Sequence, residues 1–240
     1  MNLEEIYTHI DHTVLKQTTT WPMVQKLCDE AIAGHAASVC IPPCYVEQAK
    51  AYVKDAMAIC TVIGFPNGYQ ATMVKLVETK EALAYGADEI DMVVNLCDVK
   101  NGDWDKVAHE IKALKHACGD RVLKVIVETC YLTIALIAHD AKKELMVQFC
   151  IAYCGILSRY NLVATGGTGK IVTDAKADYI KTSTGFGSAG ATVEDVALFR
   201  KECGADVKIK AAGGIRTVED AEKMLEAGAD RLGSSALLAK

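Results

Sequence analysis

Two lysines sit near the ends of neighbouring strand-like runs, Ala177-Asp-Tyr-Ile-Lys181-Thr-Ser-Thr-Gly185 and Val207-Lys-Ile-Lys210-Ala-Ala-Gly213-Gly214. Each run is short, apolar and β-rich and ends in small residues, the pattern of a buried parallel strand feeding a turn. A lysine in such a run is costly unless it is exposed, paired or used. On adjacent strands the two would stand roughly 5 Å apart at the backbone. Each cation disfavours the charge on the other, and partial burial pushes the same way. One of them could then be a free amine near neutral pH, the nucleophile a Schiff-base enzyme requires. The alternative is a pair of strand-end lysines reaching solvent. Asp91, in the apolar run Ile90-Asp-Met92, is either a proton carrier or a buried carboxylate merely paired to a lysine. Lys124, in Val122-Leu-Lys-Val-Ile-Val127, reads either as the partner that orients Asp91 or as a plain structural ion pair.

The elements that must position these groups alternate. Strand-like runs occur at Thr13–Leu15, Ser38–Ile41, Ile59–Ile63, Glu89–Val94 and Val122–Val127, with amphipathic segments such as Met73–Tyr85 and Trp104–Ala117 between them. A weak repeat punctuates the pattern. Gly86-Ala-Asp88, Gly204-Ala-Asp206 and Gly228-Ala-Asp230 each close a helix with a C-terminal Gly and open a strand. Repeated β-then-α units imply a parallel sheet, and eight of them close a barrel. The 240 residues fit one such domain, and a hydrophobic content of 51% with 6% aromatics suits a core packed with Val, Ile and Ala.

A net charge of −5 argues against nucleic acid or an anionic membrane as partner, although it leaves room for a local phosphate pocket. The ten cysteines are scattered through apolar runs without a Cys-x-x-Cys. The closest pairs, Cys40/Cys44 and Cys150/Cys154, lack partner pairs at zinc spacing, so no metal and no cofactor is expected. Reduced buried thiols, an acidic N-terminus and the absence of a bilayer-length apolar run place the chain in the cytoplasm.

Several long motifs then carry a resemblance: Ile10-Asp-His-Thr13, Gly64-Phe-Pro-Asn-Gly68, Asp88-Glu-Ile-Asp91-Met-Val-Val, Lys124-Val-Ile-Val-Glu-Thr129, Lys181-Thr-Ser-Thr-Gly185 and Lys210-Ala-Ala-Gly-Gly214. Over residues 1–133 and again over 177–240 the chain resembles deoxyribose-phosphate aldolase. The resemblance implies a TIM (β/α)8 barrel and a class I aldolase that interconverts 2-deoxyribose 5-phosphate with glyceraldehyde 3-phosphate and acetaldehyde. It implies Lys181 as the Schiff-base lysine, Lys210 as the cation that lowers the pKa of Lys181 and relays protons, and Asp91 as the proton carrier. Lys124 is the supporting residue. Gly185, Gly213, Gly214, Ser234 and Ser235 fall in the loops after strands six, seven and eight, where barrels commonly hold phosphate. The chain stops at Lys240, without the longer Tyr-bearing tail of some family members.

The stretch from Ile134 to about residue 175 differs. It resembles the N-terminal part of methylglyoxal synthase, with a strand ending in His139-Asp140, a helix over Lys142–Tyr160, and Leu162-Val-Ala-Thr165-Gly-Gly-Thr-Gly169. His139, Asp140, Lys143, Thr165, Gly166, Gly167, Thr168 and Gly169 match that family's motif positions, but its catalytic Asp has no counterpart here, so these residues read as vestigial. At the downstream junction the repeat becomes Lys176-Ala-Asp178, with its Gly lost. The expectation is one barrel domain over 1–240, an engineered chimera with a flavodoxin-like βαβ fragment inserted over 134–175 between strands five and six. Only Thr129–Thr133 separate strand five from Ile134, too few for a parallel crossover, so the barrel is expected to stay intact with the insert outside it or supplying a replacement unit. The junctions are expected to be mobile and to favour a homodimer. A small phosphorylated sugar or aldehyde is the expected partner. The alternative function is a catalytically inactive designed chimera that folds and at most binds phosphate.

Overall fold

The computed structural model of the chain describes residues 2–132, 169–203 and 205–239. Eight parallel strands close a barrel in sequence order: β1 (Ile10–Thr13), β2 (Ser38–Ile41), β3 (Ile59–Ile63), β4 (Glu89–Val93), β5 (Val122–Ile126), β6 (Tyr179–Lys181), β7 (Lys208–Ala212) and β8 (Arg231–Ser234). Helices including Trp21–Ala33, Thr72–Ala84, Trp104–Cys118, Val193–Glu202 and Val218–Glu226 follow the strands. Their buried apolar faces and the outward side chains of the strands form one continuous core. The amphipathic segments expected at Met73–Tyr85 and Trp104–Ala117 agree with the observed helices to within one residue at each end.

One strand needs correction. Thr13–Leu15 was the expected first strand, but β1 begins at Ile10 and is paired on both sides, Asp11 with Ser38 of β2 and with Gly233 of β8. Asp11 and His12 are both buried, and two polar residues in succession hide the apolar signature that strand recognition relies on. That shift carries Asp11 into the barrel.

The Gly-Ala-Asp repeat is a mechanical device. Gly86 and Gly228 take positive φ (97° and 109°) just past a helix end, where the left-handed conformation suits glycine. The following Asp then returns to the preceding strand. The Asp88 carboxylate accepts from the Ile59 N–H at 3.0 Å, and that of Asp230 from the Ile209 N–H at 2.8 Å. Lys176-Ala-Asp178 builds the same joint, with Asp178 accepting from the Leu123 N–H at 2.8 Å. Here the left-handed position falls on a lysine, with φ of 57° at Lys176. The junction that lost its glycine keeps the geometry and bears the strain.

Asp178 thus docks the start of β6 on β5, and the two strands pair directly, Lys124 with Tyr179 and Ile126 with Lys181. The barrel is closed, as expected. A short helix, Thr129–Leu132, follows β5. Residues 169–174 are helical and place Val172 in the core. The expected strand Ile134–Ala138 and the helix Lys142–Tyr160 lie outside the described residues.

Candidate active site

Strand register decides which side chains meet inside the barrel. Asp91 of β4 stands beside Lys124 of β5, and Lys181 of β6 stands beside Lys210 of β7, which stands beside Arg231 of β8. The three lysines converge on one carboxylate. Lys181 Nζ donates to Asp91 Oδ2 at 2.7 Å, Lys210 Nζ to the same oxygen at 2.9 Å, and Lys124 Nζ to Oδ1 at 2.9 Å. Asp91, Lys124 and Lys210 are fully buried and Lys181 is 3% exposed.

Two further carboxylates complete the cluster. Asp11 Oδ1 accepts from Arg231 at 2.6 Å and from the Ser38 hydroxyl at 2.8 Å. Its other oxygen is ion-paired to Lys210 and, at 3.3 Å, to Lys124. Glu89 meets Lys124 at 2.5 Å. If all are ionised, four cations (Lys124, Lys181, Lys210, Arg231) face three carboxylates (Asp11, Glu89, Asp91). The two lysines are therefore not the bare like-charge pair expected from sequence.

The electrostatics follow from this packing. Burial alone would raise the pKa of Asp91, but Lys124, Lys181 and Lys210 outweigh it and hold the carboxyl well below the usual range. Asp11 is likewise lowered, burial being overcome by Lys124, Lys210 and Arg231. Burial pulls Lys210 and Lys124 down, yet Asp11 and Asp91 overcome it and both end above the ordinary lysine value. Lys124 is held by Asp11, Glu89 and Asp91 together, contacts that both sequence readings of this residue allow.

Lys181 alone among the cluster lysines borders the cavity at the C-terminal mouth of the barrel, about 390 Å³ in volume. The same cavity is lined by Gly185, Gly213, Gly214, Ser234 and Ser235, so all five expected phosphate-site residues meet there. Gly213 and Gly214 both have positive φ, and a side chain on Gly214 would meet nothing within 4 Å. Ser234 is less free than expected. Its buried hydroxyl donates to the Ile215 carbonyl at 2.9 Å and accepts from the Ala236 N–H at 3.2 Å, so it shapes the loop, while Ser235 is exposed. Lys16 and Arg216 add positive charge to the rim.

Of the synthase-like residues, His139, Asp140, Lys143, Thr165, Gly166, Gly167 and Thr168 lie outside the described residues. Gly169 opens the helical stretch that leads into β6 and packs near Cys203. Asp11, Glu89 and Arg231 were missed as cluster members, and Lys16 and Arg216 as rim cations. Asp11 stood in a quoted motif, and a carboxylate flanked by Ile10 and a strand-like run was the available signal. Arg231 directly follows a Gly-Ala-Asp joint and so begins a strand, but nothing in its neighbourhood says that it points inward.

The family described as DeoC/LacD family aldolase matches residues 6–240. A deoxyribose-phosphate aldolase from Clostridium botulinum (strain Eklund 17B / Type B) is 51% identical over 235 residues, spanning 98% of this chain and 94% of that protein. One from Clostridioides difficile (strain 630) is 49% identical over the same shares. Among solved structures, the aldolase QR15 superposes with a TM-score of 0.83 at 33% identity, covering 98% of this chain and 93% of its own. A tetrameric deoxyribose phosphate aldolase from Aeropyrum pernix gives 0.79 at 26% identity, covering 99% and 89%. Among the described residues no helix is long and apolar enough to cross a membrane. An eight-stranded parallel barrel, a lysine cluster buried inside it and a match spanning nearly all its length agree on one conclusion: the chain belongs to the DeoC/LacD family of aldolases.

Proposed function

We propose that the chain is a class I aldolase that cleaves 2-deoxy-D-ribose 5-phosphate to glyceraldehyde 3-phosphate and acetaldehyde through a Schiff base on Lys181. The observation that carries the residue assignment is the convergence of Lys124, Lys181 and Lys210 on buried Asp91, with only Lys181 bordering the cavity. With four cations against three carboxylates, the cluster can lose one proton and still leave every carboxylate compensated. An uncharged Lys181 amine attacks the aldehyde carbon, water leaves, and the protonated imine withdraws electrons. Asp91, through a water that Lys210 helps to hold, takes the proton of the C3 hydroxyl, two carbons from the imine carbon. The carbon–carbon bond breaks, its electron pair moves into the imine, and glyceraldehyde 3-phosphate departs. The remaining enamine is reprotonated on carbon and hydrolysed to acetaldehyde and free Lys181.

The phosphate would lie against Gly185, Gly213, Gly214 and Ser235, where open backbone at strand ends and the charges of Lys16 and Arg216 favour an anion. Residues 134–175 are read as a methylglyoxal-synthase-like, flavodoxin-type segment on the strength of their sequence motif. A replacement rather than added length is favoured by a match that spans 98% of the chain and 94% of a relative. Lacking the synthase's catalytic Asp, the segment should form no methylglyoxal from dihydroxyacetone phosphate. Homodimerisation and a cytoplasmic location complete the proposal, the latter supported by free thiols at all eight described cysteines.

The test is reductive trapping. Borohydride with acetaldehyde, followed by peptide mass mapping, should place the adduct on Lys181 and give none in Lys181→Met. An adduct on Lys210 or Lys124, or no adduct in folded protein, would sink the assignment.

A further inference from the structure

The barrel interior also brings together three groups that the aldolase chemistry does not use as a set. Cys40 of β2 and Cys60 of β3 are register partners on adjacent strands. Their sulfurs and a carboxylate oxygen of Asp91 all lie within 4.8 Å of one another, and all three residues are fully buried. Cys60 Sγ already contacts Asp91 Oδ1 at 3.2 Å. In the sequence the cysteine nearest to Cys40 is Cys44. The fold instead opposes Cys40 to a cysteine twenty positions away and leaves Cys44 exposed.

We propose that Cys40, Cys60 and Asp91 form a site for a thiophilic divalent cation of the zinc class, and that a cation held there inhibits the enzyme. Two thiolates and one carboxylate are the donor set such ions prefer, and three protein ligands leave a position for water. Tetrahedral bonds of about 2.0–2.3 Å set the donors roughly 3.5–3.8 Å apart. The set lies within 4.8 Å, and Cys60 Sγ and Asp91 Oδ1, at 3.2 Å, would separate slightly, a movement of side-chain rather than backbone size. The charge balances. The ion brings two positive charges and the two thiols release two protons, so the cluster's net charge is unchanged.

The neighbours can accommodate the exchange. An ion on the thiol side would engage Asp91 Oδ1 and displace Lys124, which keeps Glu89 at 2.5 Å and Asp11 at 3.3 Å. Lys181 and Lys210 remain on Oδ2. Leu15, Phe65 and Val62 pack with the two thiols, and Leu15 also borders the cavity at the mouth, so the path for an ion runs from that cavity past Leu15. Once coordinated, Asp91 no longer accepts or returns a proton, and turnover stops. Inhibition is thus a property of the same carboxylate that the proposed aldolase mechanism requires.

Cadmium is the probe, because its thiolate charge-transfer absorption reports binding without substrate and independently of turnover. The expected result is one equivalent bound with that absorption and with reversible loss of activity restored by a chelator. Cys40→Ser and Cys60→Ser should each lose the absorption and weaken inhibition, relative to their own metal-free rates, by more than about tenfold, the effect already typical of losing an outer partner of a metal site. Cys44→Ser and Cys97→Ser, at exposed positions, should change neither. Absorption and inhibition that survive in Cys40→Ser and Cys60→Ser, or that vanish in Cys44→Ser or Cys97→Ser, would overturn the proposal. If cadmium binds through Cys40 and Cys60 in a preparation that shows no trapping on Lys181, the site stands and the aldolase assignment fails.

Discussion

Replacing Asp11 by Asn tests whether the cluster is held together by charge or by shape. The substitution keeps the size of the side chain and its bond to Ser38 but removes one of three buried carboxylates facing Lys124, Lys210 and Arg231. Taking one partner from a buried ion-pair network leaves uncompensated charge and costs about 3–5 kcal/mol. The pH dependence distinguishes this from a packing defect. In the folded protein Asp11 is held well below its ordinary value of 3.8, so above that pH its stabilising contribution is complete. Below it the unfolded chain takes up a proton that the folded chain refuses, and the contribution falls by about 1.4 kcal/mol per pH unit until the folded-state pKa is reached. Asn has no such proton. The gap between parent and Asp11→Asn should therefore be widest near neutrality and should narrow steadily below the ordinary aspartate value. Urea titrations followed by the fluorescence of Trp21 and Trp104, run from neutral pH to about pH 3, measure it directly. A gap under about 1 kcal/mol at neutral pH, or one that stays constant in acid, would show that the charge arithmetic is wrong.

Lys176→Gly should stabilise the fold by about 0.5–1 kcal/mol, because φ of 57° is strained for lysine and its side chain is exposed. Thermal unfolding reads this out, and Gly86→Ala should move the other way at the sister joint. Lys210→Met should lower kcat by about 10²–10⁴-fold while leaving Lys181 trappable with borohydride, since proton transfer rather than the nucleophile is lost. Gly190→Ala would drive a methyl group into the Gly213 carbonyl and displace the Gly213–Gly214 loop. Its kcat/KM for the phosphorylated substrate should drop by about a hundredfold, the scale of an ångström's misplacement, and steady-state kinetics checks it.

The sequence determined the barrel and the lysines inside it because both are written in local pattern. β-rich runs ending in small residues, Gly-Ala-Asp punctuation and polar residues inside apolar strands are each read within a few positions of themselves. Lys181, Lys210, Asp91 and Lys124 were all legible in that way. The lost glycine at Lys176 was legible too, and its strain appears where the repeat placed it. What the tertiary structure decided is everything that depends on strand register. Asp11 meets Lys210 across 199 positions of sequence, and Cys60 meets Asp91 across 31, only because closing the barrel brings β1 against β8 and sets the β3–β4 pairing. A one-residue slip of any strand would turn these groups from the interior to the outer face. No property of the residues themselves records that choice. It is made by the sum of the packing contacts around the whole barrel, and so the charge balance that prepares the site exists only in the folded molecule.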